Sequence, residues 1–255
     1  TLHQQRIILR RSRGMAPSYL HYTAKKSESI LAAGALLKSS FTFTANGNTY
    51  VSQYLGNTDG YEAQEAYKET VQHFMRLFRQ EPQLVVVDKH PLYFSTQFGK
   101  TLSEKHGYLL LAVQHHKAHA AAVLAENKVV HTSSAVLCVV WDGTGLGDDK
   151  NIWGGEFFVY QNKELHRRFH FGYFPVLLGD KMAKEPRLSA LCLCHELGEA
   201  THILRTKFTE AEWSLYQKLL TKEGSLQCSS AGRIFDAVAS LLCLSDKQSY
   251  EGEAA

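Results

Sequence analysis

The sequence predicts an α/β protein built from two related lobes, the second of them incomplete. Short apolar runs at 84–87, 108–113 and 134–141 read as buried strands, and stretches of helical spacing alternate with them. A succession of three strands and then helix occurs twice along the chain. Each succession opens on an apolar run beside glycine: Gly34 within 30–37, and Gly143 and Gly145 just after 134–141.

The elements follow in order. Residues 1–29 are polar and basic, contain Gly14 and Pro17, and read as a linker from an upstream domain. Residues 30–133 form the first lobe. Its opening run, 30–37, leads to the alternating Phe41-Thr42-Phe43-Thr44, and Asn46-Gly47 then separates this stretch from 49–54, a hairpin signal. Ala66, Phe74, Leu77 and Phe78 give 60–80 helical spacing, and strands at 84–87 and 108–113 enclose a helix at 96–106. A helix over 115–127 closes the lobe. Residues 134–255 form the second, with strands at 134–141, 153–160 and 165–173 and helices at 180–197, 209–221 and 230–243. A glycine-rich turn is expected after the strand ending at Trp141. No strands follow to finish this sheet as 84–87 and 108–113 finish the first.

The bulk composition narrows the classes. A chain of 255 residues with 44% hydrophobic and 21% charged residues can bury a sizeable core and is ordinary for a soluble domain. No apolar run reaches the ~18 residues of a membrane span. The net charge of +3 includes Arg6, Arg10, Arg11 and Arg13, so residues 14–255 sit near about −1, which argues against a nucleic-acid face. Cys138, Cys192, Cys194, Cys228 and Cys243 contain no Cys-x-x-Cys pair and read as reduced, buried thiols of a cytoplasmic protein.

The chemistry concentrates in Gln114-His115-His116-Lys117-Ala118-His119 and in Asp142-Gly143-Thr144-Gly145. A spacing of four puts His115 and His119 on one helix face, where two imidazoles can hold one divalent ion. Surface or core-packed histidines are the competing reading. His116 projects about 100° from His115 and is not expected to share an ion. Asp142 offers a carboxylate, and glycine amides after a strand can donate to phosphate oxygens; a plain tight turn is the alternative. Lys38 can pair with phosphate or stand in solvent. In Ser229-Ser230-Ala231-Gly232-Arg233-Ile234-Phe235-Asp236, the serines are helix-cap candidates. Asp236 can accept from a ribose diol or pair with Arg233. No serine elbow or catalytic cysteine motif is present.

Taken together, these motifs resemble the C-terminal carbamoyltransferase domain of HypF-type hydrogenase maturation proteins. The resemblance also runs through Arg10-Arg11-Ser12-Arg13-Gly14, Asp88-Lys89-His90-Pro91-Leu92-Tyr93, Trp153-Gly154-Gly155-Glu156-Phe157, Lys184-Glu185-Pro186-Arg187 and Tyr250-Glu251-Gly252. It implies an actin-like ATPase (ASKHA) fold of two ribonuclease-H-like lobes. It also implies a ligand set of His115, His119 and Asp142 for iron or zinc, similar to that of tRNA threonylcarbamoyl transferases, with these three residues at the catalytic centre. A further aspartate ligand is expected beyond Ala255. Lys38, Gly143, Thr144 and Gly145 would meet phosphate, and Asp236 and Gly252 the nucleoside of ATP, AMP or carbamoyl adenylate.

The implied activity is transfer of a carbamoyl group from carbamoyl adenylate, made by upstream domains from carbamoyl phosphate and ATP, to the C-terminal cysteine of HypE. Alternatives are an O-carbamoyltransferase or tRNA-modifying relative, or a non-catalytic nucleotide-binding fragment. Neither nucleic acid nor membrane is an expected partner, and the isolated fragment is expected to turn over poorly. Two motifs depart from the family's pattern: Tyr54 and Asn57 stand in its usual Ser-Gln-His-x-Gly-Asp, and Leu178 replaces the first glycine of Gly-Gly-Asp.

Overall fold

The computed structural model describes residues 18–20, 28–222, 224–250 and 252–254. Its packing separates two units, with the division after Gln114. The lobe boundary expected at 133 therefore differs from the division by packing. The histidine helix, α3 (His115–Glu126), belongs with the second unit because its buried stripe His116, Ala120 and Leu124 lies against two strands of that unit.

The first unit holds a six-stranded sheet. β1 (Ser18–Leu20) lies within the stretch expected to be a linker; the rest of that stretch up to residue 27 falls outside the described residues. β2 (Ile30–Ala32), β3 (Thr42–Ala45) and β4 (Asn48–Val51) form an antiparallel meander, and β1 pairs with the far side of β4. The hairpin expected at Asn46-Gly47 is present, with φ of 54° and 84°. Two consecutive left-handed residues match the twist of the flanking strands. β5 (Leu84–Asp88) and β6 (Leu109–Val113) then add in parallel on the other side of β2.

Helices α1 (Tyr61–Phe78) and α2 (Phe94–His106) connect these strands. Tyr67, Val71 and Phe74 of α1 pack with Phe41, Phe43 and Leu31 in the core. The Tyr67 hydroxyl, fully buried, donates to the Ala33 carbonyl at 2.5 Å. α2 turns Ser95, Thr96, Gly99 and Ser103 inward, and this small-residue face allows close packing on β5. A Cβ at Gly99 would stand 2.5 Å from a Val87 methyl.

The second unit repeats the meander. β7 (Val136–Leu146), β8 (Ile152–Gln161) and β9 (Glu164–His170) are antiparallel, and Asn162 and Lys163 supply another pair of left-handed residues between β8 and β9. The short β10 (Phe174–Pro175) and β11 (Gln227–Cys228) extend the sheet from β8. Among the described residues no strand pairs with the outer edge of β7, and Leu137, Val139 and Trp141 are exposed there.

Helices α4 (Asp180–Lys184), α5 (Pro186–Leu193), α6 (Thr201–Arg205), α7 (Glu210–Leu220) and α8 (Ala231–Leu241) surround a core that includes Leu188, Leu191, Leu204 and Tyr216. The single helix expected over 180–197 is divided because Pro186, lacking an N–H, begins a new helix rather than continuing the old one. Leu178 has φ of 58°, so a leucine occupies a left-handed backbone. No cysteine is disulfide-bonded; Cys192, Cys194 and Cys228 are buried, but Cys243 is exposed, against the expectation of a buried thiol. No described helix is long and apolar enough to cross a membrane.

Candidate active site

The site begins with the register of α3. Alanine-rich sequence favours the helix, and its stripe at 116, 120 and 124 faces the sheet. The neighbouring stripe, His115 and His119, is thereby placed at the rim. Their Nε2 atoms are 3.2 Å apart.

The strand opposite does not make the expected turn. β7 continues through Asp142-Gly143-Thr144-Gly145, but its pairing with β8 is interrupted between Trp141 and Gly145. Three residues of β7 there face one of β8, Gly154, in a bulge that redirects side chains. Asp142 Oδ2 is brought within 3.3 Å of His115 Nε2 and 3.8 Å of His119 Nε2. Separations of 3.2 to 3.8 Å suit a tetrahedral ion: bonds of ~2.0–2.1 Å hold ligand atoms about 3.3 Å apart. Asp142 Oδ2 is buried, and its near polar neighbours include the ring nitrogens of His115, His116 and His119, at 3.3, 3.6 and 3.8 Å. Burial pushes the Asp142 carboxyl up, but His115, the Gly143 amide and His119 outweigh it and hold the group below its usual range.

His116 differs from its neighbours. It is fully buried, its ring lies against Trp153, and its Nε2 is 3.6 Å from Asp142 Oδ2. It thus approaches Asp142 from the buried side, closer than its angular position on the helix alone indicates. Burial, only partly opposed by Asp142, lowers its pKa to about 4, so the ring is neutral near pH 7.

The glycines serve packing as well as backbone exposure. The Gly143 N–H donates to the Asp142 side chain at 2.6 Å. Gly145 is buried, and a Cβ there would stand 2.5 Å from His116 Cε1 and 3.0 Å from His115 Cδ2. Thr144 is exposed. From the other side, α8 meets the bulge: Gly232 packs against Gly143, and Ser230, the cap of α8, directs its hydroxyl to the carbonyls of Asp142 and Gly143.

Asp236, in the second turn of α8, is buried. It accepts from Gln248 Nε2 at 2.6 Å and lies 2.8 Å from Arg233 Nε. Burial raises its pKa against the pull of Arg233 and Gln248. Gly252 sits in an exposed turn with φ of 81°. Lys38 belongs to the first unit; its backbone N–H donates to Asn57 Oδ1 at 2.9 Å.

The sequence reading passed over Glu156, Arg167 and the inward role of Ser229. Glu156 is fully buried, accepts from Ser229 and pairs with Arg167. The available signal was a charged residue within an apolar strand, Trp153-Gly154-Gly155-Glu156-Phe157, which calls for a buried partner.

Residues 25–126 match the family described as the HypF Kae1-like domain, and residues 138–255 the one described as carbamoyltransferase, Kae1-like domain, second subdomain. The chain belongs to the HypF family of carbamoyltransferases. It is 35% identical to carbamoyltransferase HypF2 of Cupriavidus necator, a match covering 97% of this chain and 30% of that protein. It is 33% identical to the probable carbamoyltransferase HypF of Methanocaldococcus jannaschii, covering 97% of this chain and 33% of that one. The crystal structure of full-length HypF in its phosphate- and nucleotide-bound form superposes with a TM-score of 0.86 at 32% identity, covering 96% of this chain and 32% of that chain. The chain spans about a third of the length of these relatives. Its fold is the actin-like one expected for HypF Kae1-like domains.

Proposed function

We propose that this chain is the carbamoyl-transferring part of a HypF protein. In this reading, carbamoyl adenylate arrives from upstream domains that make it from carbamoyl phosphate and ATP, and its carbamoyl group passes to the sulfur of the C-terminal cysteine of a HypE-like acceptor as the bond to the adenylate oxygen breaks and AMP leaves. The observation that carries the reading is the compact triangle of His115 Nε2, His119 Nε2 and Asp142 Oδ2, whose edges of 3.2 to 3.8 Å fit one divalent ion. Among the described residues it is the cluster of metal-ligand type within the family's motif. An iron or zinc ion bound there supplies a Lewis acid for the carbamoyl carbonyl.

The chain's own residues account for the rest. Gly143, Thr144 and Gly145, with the N-terminus of α8 beside them, are assigned to phosphate, and within the first unit Lys38 is the candidate cation for phosphate. Asp236 and Gly252 are assigned to the nucleoside; Asp236 would exchange its present partners, Gln248 and Arg233, for ribose hydroxyls. The attacking thiolate comes from the acceptor, consistent with the absence of a nucleophile motif. That a structurally similar full-length HypF was solved in a phosphate- and nucleotide-bound form supports nucleotide binding as part of this reading.

The test is carbamoyl transfer by the full-length protein to a peptide carrying the HypE C-terminus, compared with small hydroxylated acceptors and tRNA. Transfer to the peptide, lost in His115→Ala/His119→Ala, is expected. Preference for either other acceptor would favour an O-carbamoyltransferase or tRNA-modifying enzyme. One observation bears on the isolated chain. The uncovered flank of β7 borders an apolar groove of about 460 Å³ lined by Val123, Leu124, Val139 and Val140, with His119 and Asp142 at its end. We propose that this edge is covered in the full-length protein, and slower turnover is expected of the chain alone.

A further inference from the structure

The bulge that carries Asp142 has a cost on the neighbouring strand. Where the ladder between β7 and β8 is interrupted, buried backbone donors need other acceptors. Those of Gly154 and Gly155 find the side chain of Glu156, donating to its Oε1 at 3.2 and 3.3 Å. The same oxygen accepts from the Ser229 hydroxyl at 2.6 Å, and Oε2 from Arg167 Nε at 2.5 Å. A fully buried carboxylate thus supplies the acceptor for both glycine amides beside the bulge, with its charge balanced by one guanidinium.

Both walls fixed in this way touch the backbone of Asp142. Gly154 is packed so closely that a Cβ would stand 2.5 Å from the Asp142 carbonyl oxygen. Ser229 precedes Ser230, whose hydroxyl is 2.9 Å from that same oxygen. Arg167 is itself anchored, stacked 3.8 Å over Trp153 and bonded to the Tyr173 hydroxyl. Trp153 in turn lies against His116.

We propose that Glu156 is a positioning residue: its carboxylate holds the bulge in the shape that aims Asp142 at His115 and His119, and thereby sets metal affinity without touching the ion. The proposal rests on the metal reading given above. Outer groups of this kind typically change metal affinity by about 10–100-fold.

The experiment uses the full-length protein, stripped of metal and titrated with Zn²⁺ against a chromophoric chelator, with Co²⁺ absorption as a report on ligand geometry. Glu156→Gln keeps an oxygen acceptor for Gly154, Gly155 and Ser229 but loses the charge that pairs with Arg167. The expected result is zinc binding at one equivalent by the wild type, affinity about tenfold or more weaker in Glu156→Gln, and an altered Co²⁺ spectrum. Ser229→Ala, which leaves the ion pair in place, provides a second variant if the first does not fold; a several-fold weakening is expected. Equal zinc affinity and unchanged Co²⁺ spectra in the folded variants, even with a lower melting temperature, would make Glu156 purely structural and overturn the proposal alone. No zinc bound by the wild type would remove the metal reading and this proposal with it.

Discussion

The hydroxyl of Ser230 lies 2.9 Å from the carbonyl oxygen of Asp142, a residue 88 positions earlier in the chain. The same hydroxyl accepts the Arg233 N–H at 3.2 Å and so caps α8. One side chain therefore starts a helix and fixes the strand bulge from which the candidate ligand projects.

Replacing Ser230 by Ala removes the cap and one donor to buried carbonyls. Loss of an N-cap costs about 1 kcal/mol and an unsatisfied buried acceptor about 1–3 kcal/mol, so a loss of about 2–4 kcal/mol is expected. Urea unfolding should show a lower midpoint with an unchanged slope. A loss below about 0.5 kcal/mol would mean that the bulge holds its shape without Ser230.

Gly145→Ala probes the packing of the histidines. Its new methyl would lie 2.5 Å from His116 Cε1 and 3.0 Å from His115 Cδ2, so both rings must move. Expected are a stability loss of about 1–3 kcal/mol and zinc affinity weaker by about tenfold. Calorimetric zinc titration beside thermal unfolding separates the two effects; unchanged affinity would show that the ring of His115 relaxes freely.

The three histidines should divide by role. His115→Ala combined with His119→Ala is expected to abolish bound metal in elemental analysis of the full-length protein. His116→Ala, which empties a fully buried position beside Trp153, should destabilise by about 2–4 kcal/mol while retaining an ion. Metal retained in the double variant would contradict the ligand assignment, and metal lost from a folded His116→Ala would make that ring part of it.

Acid sensitivity is expected from the pair of Glu212 and Arg187, far in sequence from the histidines. Arg187 lies 2.9 Å from Glu212, and with the Thr209 amide it draws the Glu212 carboxyl from an ordinary 4.5 to about 2. A carboxyl depressed by folding contributes stability that is present above pH 4.5 and lost as pH falls through about 2. Glu212→Gln keeps a side-chain acceptor for the capping box with Thr209 and removes only the charge. The pair is partly in solvent, so a deficit of about 1 kcal/mol is expected at pH 7, shrinking toward zero near pH 2. Urea midpoints of both proteins at several pH values check this; a deficit independent of pH would assign the loss to packing.

Much of the first unit was legible because local rules and tertiary packing agree there. Asn46-Gly47 makes the hairpin it predicts, and the apolar runs at 84–87 and 108–113 become β5 and β6. The second unit was legible in its strands but less so in its helices. Pro186 divides a helix that periodicity alone joined. Asp142-Gly143-Thr144-Gly145 has the composition of a turn, yet β7 runs through it, because β8 and the start of α8 hold both sides. Glu156 escaped notice for the same reason: its value depends on amides that only an interrupted ladder leaves over.

The sequence by itself determined the α/β class, the doubled meander, the family and the one-turn spacing of His115 and His119, all of which depend on periodicity or on residues close in the chain. Only the tertiary structure decided where Asp142 points. That direction comes from contacts with Gly154 and Ser230, distant in sequence, and from the buried Glu156 with its ion pair to Arg167. A helix carries its own geometry in its hydrogen bonds, whereas a bulge takes its shape from the groups packed around it.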